Sequence, residues 1–201
     1  MASHSKTRSG MTLEEFLRWP EADEHPYKEF INGRIEMKVS PQKKHSVLTL
    51  DFCLALNQFA GPGRLGRAFP ELRCTFAGRS IIPDVVFLLE ANIPCDARGM
   101  LVNISILPPD IQIEIRSPGQ SLKKTREKLE HAVANGCPLG WLIDPERETA
   151  DVYRPGSGPE RLLADGFLDA TPVLPGFRLA VSEVFGWLIY RAPNPPQGDP
   201  E

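Results

Sequence analysis

Ile82-Pro83-Asp84-Val85-Val86-Phe87 and Asp110-Ile111-Gln112-Ile113-Glu114-Ile115-Arg116 decide how this chain folds. Both have the β-branched, apolar content of strands running through a core, yet each carries a carboxylate that such a strand normally excludes. A lone buried carboxylate takes up a proton, pairs, or binds a cation, because burial of the ion costs on the order of several kcal/mol. A hard divalent ion such as Mg2+ offsets that cost. It usually takes one or two protein carboxylates and leaves its other positions to water and phosphate oxygens. Asp84 and Glu114 therefore read as a candidate pair of metal ligands.

Working outward, the period of two along 110–116 puts Ile111, Ile113 and Ile115 on one face and Gln112, Glu114 and Arg116 on the other. The plain alternative is a sheet whose second face meets water. Pro83 forces Ile82 into an extended conformation, so strand character begins at Asp84, although an Asp beside a proline is also a common turn residue. The segment between Asp84 and Glu114 is long enough to return the chain to a neighbouring strand, where the two carboxylates would share one cation. Lys123, Lys124, Arg126 and Lys128 crowd the start of the next helix. Most of these cations are expected on a solvated face, with one of them free to assist a phosphoryl group.

The rest of the chain supplies helices and strands in alternation, which predicts a mixed sheet covered by helices. Thr12-Leu13-Glu14-Glu15 is a capping box opening a short helix to about residue 18. Asn32-Gly33 between residues 27–31 and 34–39 predicts a hairpin with a type I′ turn. An apolar helix is expected over 45–59, stopped by Gly61-Pro62-Gly63. Strands are expected over 71–76, 81–89, 110–116 and 139–144, with 149–154 as an antiparallel edge. Residues 90–109 read as a loop with one helical turn. Ser121 is a plausible N-cap for a helix to 135, with Leu122, Leu129, Ala132 and Val133 inward and Gly136 as its stop. An extended piece over 174–181 and a last helix from Ser182 to 190 complete the reading.

At 201 residues the chain fits one domain, and its 41% apolar and 24% charged content is that of a soluble globular protein. No apolar run approaches the roughly 20 residues needed to cross a bilayer, and the polar N-terminus lacks a signal-peptide core. A cytoplasmic location is expected. Cys53, Cys74, Cys95 and Cys137 show no CxxC pair or zinc spacing and read as buried thiols. The net charge of −3 argues against a protein that coats nucleic acid non-specifically.

Glu29-Phe30-Ile31-Asn32-Gly33, Ser40-Pro41 with His45, Pro83-Asp84, Glu114-Ile115-Arg116-Ser117-Pro118, Lys128 with Gly136, and Trp141-Leu142-Ile143-Asp144-Pro145 occur in an order that resembles the Uma-type family. That family comprises restriction-endonuclease-like bacterial proteins of the PD-(D/E)XK nuclease superfamily. The resemblance spans roughly residues 12 to 190. It implies an α/β fold with a restriction-endonuclease-like core, a central mixed β-sheet flanked by helices, as a single nuclease-like domain over 12–191. Residues 1–11 and the proline-rich 192–201 are expected to be disordered.

By the same resemblance, Asp84 and Glu114 are the catalytic acidic residues and the metal ligands, with Mg2+ or Mn2+ as cofactor and DNA as substrate. Arg116 stands where the superfamily usually has Lys; it holds a phosphate but cannot act as a base, so the Lys role has either moved to Lys128 or been lost, and Arg116 or Lys128 is expected to assist catalysis. Lys124 and Ala132 replace the Asp and Tyr common in the family. Glu29, His45 and Gln112 are additional candidates, against plainer readings of Glu29 as an exposed hairpin charge and His45 as a helix-start residue. The expected activity is Mg2+-dependent DNA phosphodiester hydrolysis. The alternatives are an inactive nuclease-fold protein that binds nucleic acid or regulates a partner, and a hydrolase of another phosphoester. A homodimer would let both strands of a duplex be cut.

Overall fold

The computed structural model describes residues 10–38, 40–103 and 105–191. The expectations of disorder for the first residues and for 192–201, and the end of the hairpin strand at residue 39, fall on positions outside the described residues. In chain order the elements are α1 (Leu13–Leu17), β1 (Lys28–Ile31), β2 (Arg34–Met37), α2 (Lys43–Ala60), β3 (Gly66–Pro70), β4 (Cys74–Phe76), β5 (Arg79–Ile81) and β6 (Val85–Leu89). Then follow β7 (Ile111–Ile115), α3 (Leu122–Ala134), β8 (Leu139–Asp144), β9 (Thr149–Tyr153), β10 (Glu160–Leu162), β11 (Phe167–Asp169), β12 (Arg178–Ala180) and α4 (Val181–Gly186).

A six-stranded mixed sheet runs β10-β9-β8-β7-β6-β3, and a four-stranded sheet runs β2-β1-β5-β4. In the larger sheet β7 and β8 pair in parallel and the other neighbours are antiparallel, because only this pair is joined through a helix, α3. The alternation anticipated in β7 sorts its side chains between two layers. Ile111, Ile113 and Ile115 join Val85, Phe87, Trp141 and Ile143 against Leu48, Phe52 and Leu56 of α2. The opposite face carries Gln112 and Glu114 and is buried under α3, with Leu129 on Leu142 and Tyr153 and Ala132 among Val86 and Leu88.

Local chemistry explains the turns. Asn32 (φ 52°) and Gly33 (φ 75°) supply the two positive φ angles that close Ile31 onto Arg34. Thr12 and Glu15 form the reciprocal capping box. Ser121 accepts from the Lys124 amide at the start of α3.

Four expectations are corrected. The single strand over 81–89 is two strands in two sheets, because Pro83 lacks the N–H that a continuous ladder needs. The segment 149–154 is not an edge, since β10 pairs outside it. The last helix is Val181–Gly186 with Ala180 at its N-cap, so Ser182 lies inside it. Cys95 is exposed, whereas Cys53, Cys74 and Cys137 are buried.

Strand β3 was not anticipated; Gly and Pro bracket too few apolar residues to signal one. Its first residue is under tight constraint. A Cβ added at Gly66 would lie 2.2 Å from the Leu88 carbonyl oxygen and 2.9 Å from Leu89 Cα, both main-chain atoms that cannot rotate away. We expect Gly66→Ala to lower stability by about 3 kcal/mol, at the upper end of overpacking effects, as measured by urea denaturation.

Candidate active site

The break at Pro83 builds the site. Crossing between the sheets removes Ile82 from both ladders, and side chains satisfy its backbone instead. Its N–H donates to Glu29 Oε1 at 2.7 Å, and its carbonyl accepts from Lys38 Nζ at 2.9 Å. Asp84 follows. Val85 pairs with Ile113, and continuing that antiparallel register by one step sets Asp84 opposite Glu114. Asp84 is tied to β7 by the Ile115 N–H, which donates to Oδ2 at 2.7 Å.

The surrounding groups form a chain of charges. Lys128, one turn beyond the buried Thr125 of α3, reaches Glu29 Oε1 at 2.9 Å and Glu114 Oε2 at 3.0 Å. Glu114 Oε1 accepts from Gln112 Nε2 at 2.9 Å. Asp84 meets Lys38 Nζ at 2.8 Å through Oδ1 and His45 Nε2 at 3.1 Å through Oδ2. Glu71 Oε1 lies 3.4 Å from the same lysine. Glu29, Lys38, His45, Asp84, Glu114 and Lys128 all line one cavity of about 310 Å³.

Electrostatics follow from this packing. Burial raises the Asp84 carboxyl, but the Lys38 ammonium, with His45 and Lys128, overcomes it and holds the group well below the usual carboxylate range. Burial pushes Glu114 up to about 7; Lys128 opposes this, while Asp84 and Glu29 add to it. Burial lowers Lys128, yet Glu114, Glu29 and Asp84 outweigh it and keep the ammonium protonated. Four carboxyl groups, Glu29, Glu71, Asp84 and Glu114, are thus gathered around two lysines.

This sets a pH dependence in the absence of divalent cations. Between pH 4.5, the ordinary value for Glu, and about 7, folded Glu114 holds a proton that the unfolded chain releases. Its contribution is complete below that window and is lost as pH rises through it. The thermal midpoint in EDTA should fall across this range, and Glu114→Gln should flatten the profile in scanning calorimetry. Asp84 acts in the opposite sense, its contribution being lost as pH falls below its ordinary value of 3.8.

Placement of the sequence candidates is specific. Asp84, Glu114, Lys128, Glu29 and His45 come together. Glu29 is 5% exposed, which excludes an exposed hairpin charge. Gln112 stands behind Glu114 and does not line the cavity. Arg116 does not line it either. Strand β7 ends at Ile115, and the Arg116 guanidinium turns to Asp144 Oδ2 at 2.8 Å and Glu146 Oε2 at 3.3 Å. Of the other basic residues of α3, Lys123 faces Glu127, Lys124 pairs with Glu36 and Arg126 with Asp151. Sequence reasoning missed Lys38 and Glu71. The only signal was a lysine closing a hairpin strand just before Ser40-Pro41.

The donor set fits a hard divalent cation. Glu29, Asp84 and Glu114 offer carboxylate oxygens to one cavity. Among the described residues no group of three or more His, Cys, Asp or Glu side chains forms a ready cage.

The family model for Uma2, described as "Putative restriction endonuclease", matches residues 13–182. The chain belongs to the Uma2 family. A crystal structure of a "putative nuclease belonging to DUF820" from Anabaena variabilis ATCC 29413 is 37% identical, covers 89% of this chain and 99% of its own, and superposes with a TM-score of 0.84. A DrdV–DNA complex solved by cryo-electron microscopy is 14% identical over 72% of this chain and 12% of its own, with a TM-score of 0.35. No curated protein matches the chain. Membership of the Uma2 family and the Anabaena structure agree with the mixed sheet flanked by helices described above. No helix among the described residues is long and apolar enough to cross a membrane.

Proposed function

We propose that this Uma2 protein is a Mg2+-dependent endonuclease that hydrolyses DNA phosphodiesters. The observation carrying the reading is that Asp84, just before β6, and Glu114, on the neighbouring β7, line one cavity with a buried lysine. The family and the description of the Anabaena relative as a nuclease support it. The buried thiols suit a reducing cytoplasm.

Asp84 and Glu114 are the residues that would hold the cation. Once bound, a divalent ion supplies Lewis-acid polarisation of the scissile phosphate and a more acidic water. The chain's own groups do the rest. Gln112 fixes one oxygen of Glu114, so the other faces the cavity. Glu29 anchors Lys128 while tying down the Ile82 amide, which positions a permanent positive charge beside the acidic pair. Paired with Glu29 and Glu114, Lys128 presents a cation that stabilises negative charge on a phosphoryl group. Arg116, paired with Asp144, braces the end of β7.

The test is cleavage of plasmid and linear DNA with Mg2+ or Mn2+ against EDTA, comparing wild type with the Asp84→Ala/Glu114→Ala double variant. Metal-dependent cleavage lost in the double variant is expected; undiminished cleavage disposes of the mechanism. RNA and small phosphodiesters run in parallel identify another phosphoesterase. One observation favours a second reading, an inactive nuclease-fold protein that binds nucleic acid: Lys38 and Lys128 already neutralise much of the acidic site. Absence of any Mg2+ or Mn2+ binding in calorimetry supports that reading.

A further inference from the structure

Lys38 occupies the place on Asp84 that a cation would need. Asp84 Oδ2 is filled by the Ile115 N–H and His45 Nε2, so Oδ1 is the oxygen left to face the cavity, and Lys38 Nζ sits 2.8 Å from it. We propose that Lys38 is the resident counter-ion of Asp84 and passes to Glu71 when a divalent cation takes the site. This rests on the reading of Asp84 and Glu114 as cation ligands.

The two lysines of the site are tethered differently. Lys128 projects from the middle of α3 and is clamped between Glu29 and Glu114. Lys38 follows β2, the outer strand of the four-stranded sheet, and carries its charge on a flexible stem. Its three ammonium protons face three acceptors: Asp84 Oδ1, the Ile82 carbonyl, and Glu71 Oε1 at 3.4 Å. The last is the longest contact and the natural destination.

Glu71 is built for that role. Its N–H donates to the carbonyl oxygen of Asp84 itself at 3.1 Å, so acceptor and ligand move together. It holds φ at +48°, in the left-handed region that non-glycine residues seldom adopt. Its side chain is 32% exposed and lines a second cavity of about 200 Å³ that shares His45 with the first. A short shift of the ammonium from Oδ1 to Glu71 frees Asp84 and leaves Lys38 paired. Without the shift an incoming cation meets a like charge within hydrogen-bonding distance of its ligand oxygen.

The test is titration calorimetry with Mn2+ and Mg2+, without DNA, at about pH 8, where carboxylates are ordinarily ionised. Wild type, Lys38→Met, Glu71→Gln and the double variant are compared. Lys38→Met should bind Mn2+ at least tenfold more tightly, with a lower thermal midpoint in EDTA. Glu71→Gln should bind several-fold more weakly, and should have no further effect in the Lys38→Met background, where no ammonium remains to be received. Unchanged or weaker binding by Lys38→Met overturns the proposal, as does an undiminished Glu71→Gln effect in the double variant. If Lys38→Met does not fold, unaltered binding by Glu71→Gln overturns it.

The two readings fail separately. Wild-type binding that depends on Asp84 without the Lys38→Met gain removes only the counter-ion role. The expected affinities without DNA cleavage uphold it and remove the nuclease. No binding by wild type or Lys38→Met overturns both.

Discussion

Asp84→Asn is expected to reduce Mg2+-dependent DNA cleavage by about a thousandfold or more, the scale seen when one electrostatic group is removed from a preorganised site. The substitution is chosen for what it keeps. The amide oxygen still accepts from the Ile115 N–H, so β6 stays stitched to β7, and the volume at this buried position is unchanged. What disappears is the charge that faces Lys38 and would face a cation. Loss of cleavage with an unaltered circular dichroism spectrum assigns the loss to the site, while the thermal midpoint in EDTA should fall because Lys38 loses its buried counter-ion. Retention of more than a tenth of the activity would mean that Asp84 serves only the fold.

Lys128→Met carries the largest expected change in stability. Removing one partner of a buried ion pair typically costs about 3–5 kcal/mol, because the charge left behind has neither water nor counter-ion. Here two carboxylates, Glu29 and Glu114, lose their common ammonium at once. The protein has an answer that most buried pairs lack. A divalent cation in the same cavity replaces the missing positive charge, so millimolar Mg2+ should restore more stability to Lys128→Met than it adds to wild type. Thermal unfolding of both proteins in EDTA and in Mg2+ measures the difference. Equal stability of variant and wild type in EDTA, or an equal response to Mg2+, contradicts the role given to this lysine. Cleavage by the variant should be lost in either case, since restored folding does not return a fixed cation to the phosphate.

How far the sequence reveals these features depends on whether a signal is local. The alternation of β7 was plain, and so was the anomaly of a glutamate within it, because both are contained in five residues. Asn32-Gly33 announced its hairpin for the same reason. Lys128 could be marked as one of several basic residues on a helix, but helical spacing alone did not say which one turned inward. That depends on α3 lying across a face that already holds Glu114. Lys38 and Glu71 gave almost no sign, since their partner Asp84 reaches them only when the two sheets meet. Arg116 was misleading in a useful way. A period of two continued one step too far would place it with Glu114, whereas the strand ends before it and Asp144 captures its side chain. Residues 81–89 looked like one strand because apolar content does not register which sheet a strand joins. Proline did register it, through the hydrogen bond it cannot make.

Ile82 gives that discontinuity its mechanical meaning. Its amide and carbonyl are held by Glu29 and Lys38, so the smaller sheet is fastened to the larger through ionisable groups rather than through a ladder. Any breathing of the seam between the sheets must therefore pull on the same carboxylates and ammonium groups that shape the acidic cavity. Architecture and electrostatics cannot be tuned independently here, and ionic conditions that loosen the charges will also slacken the joint.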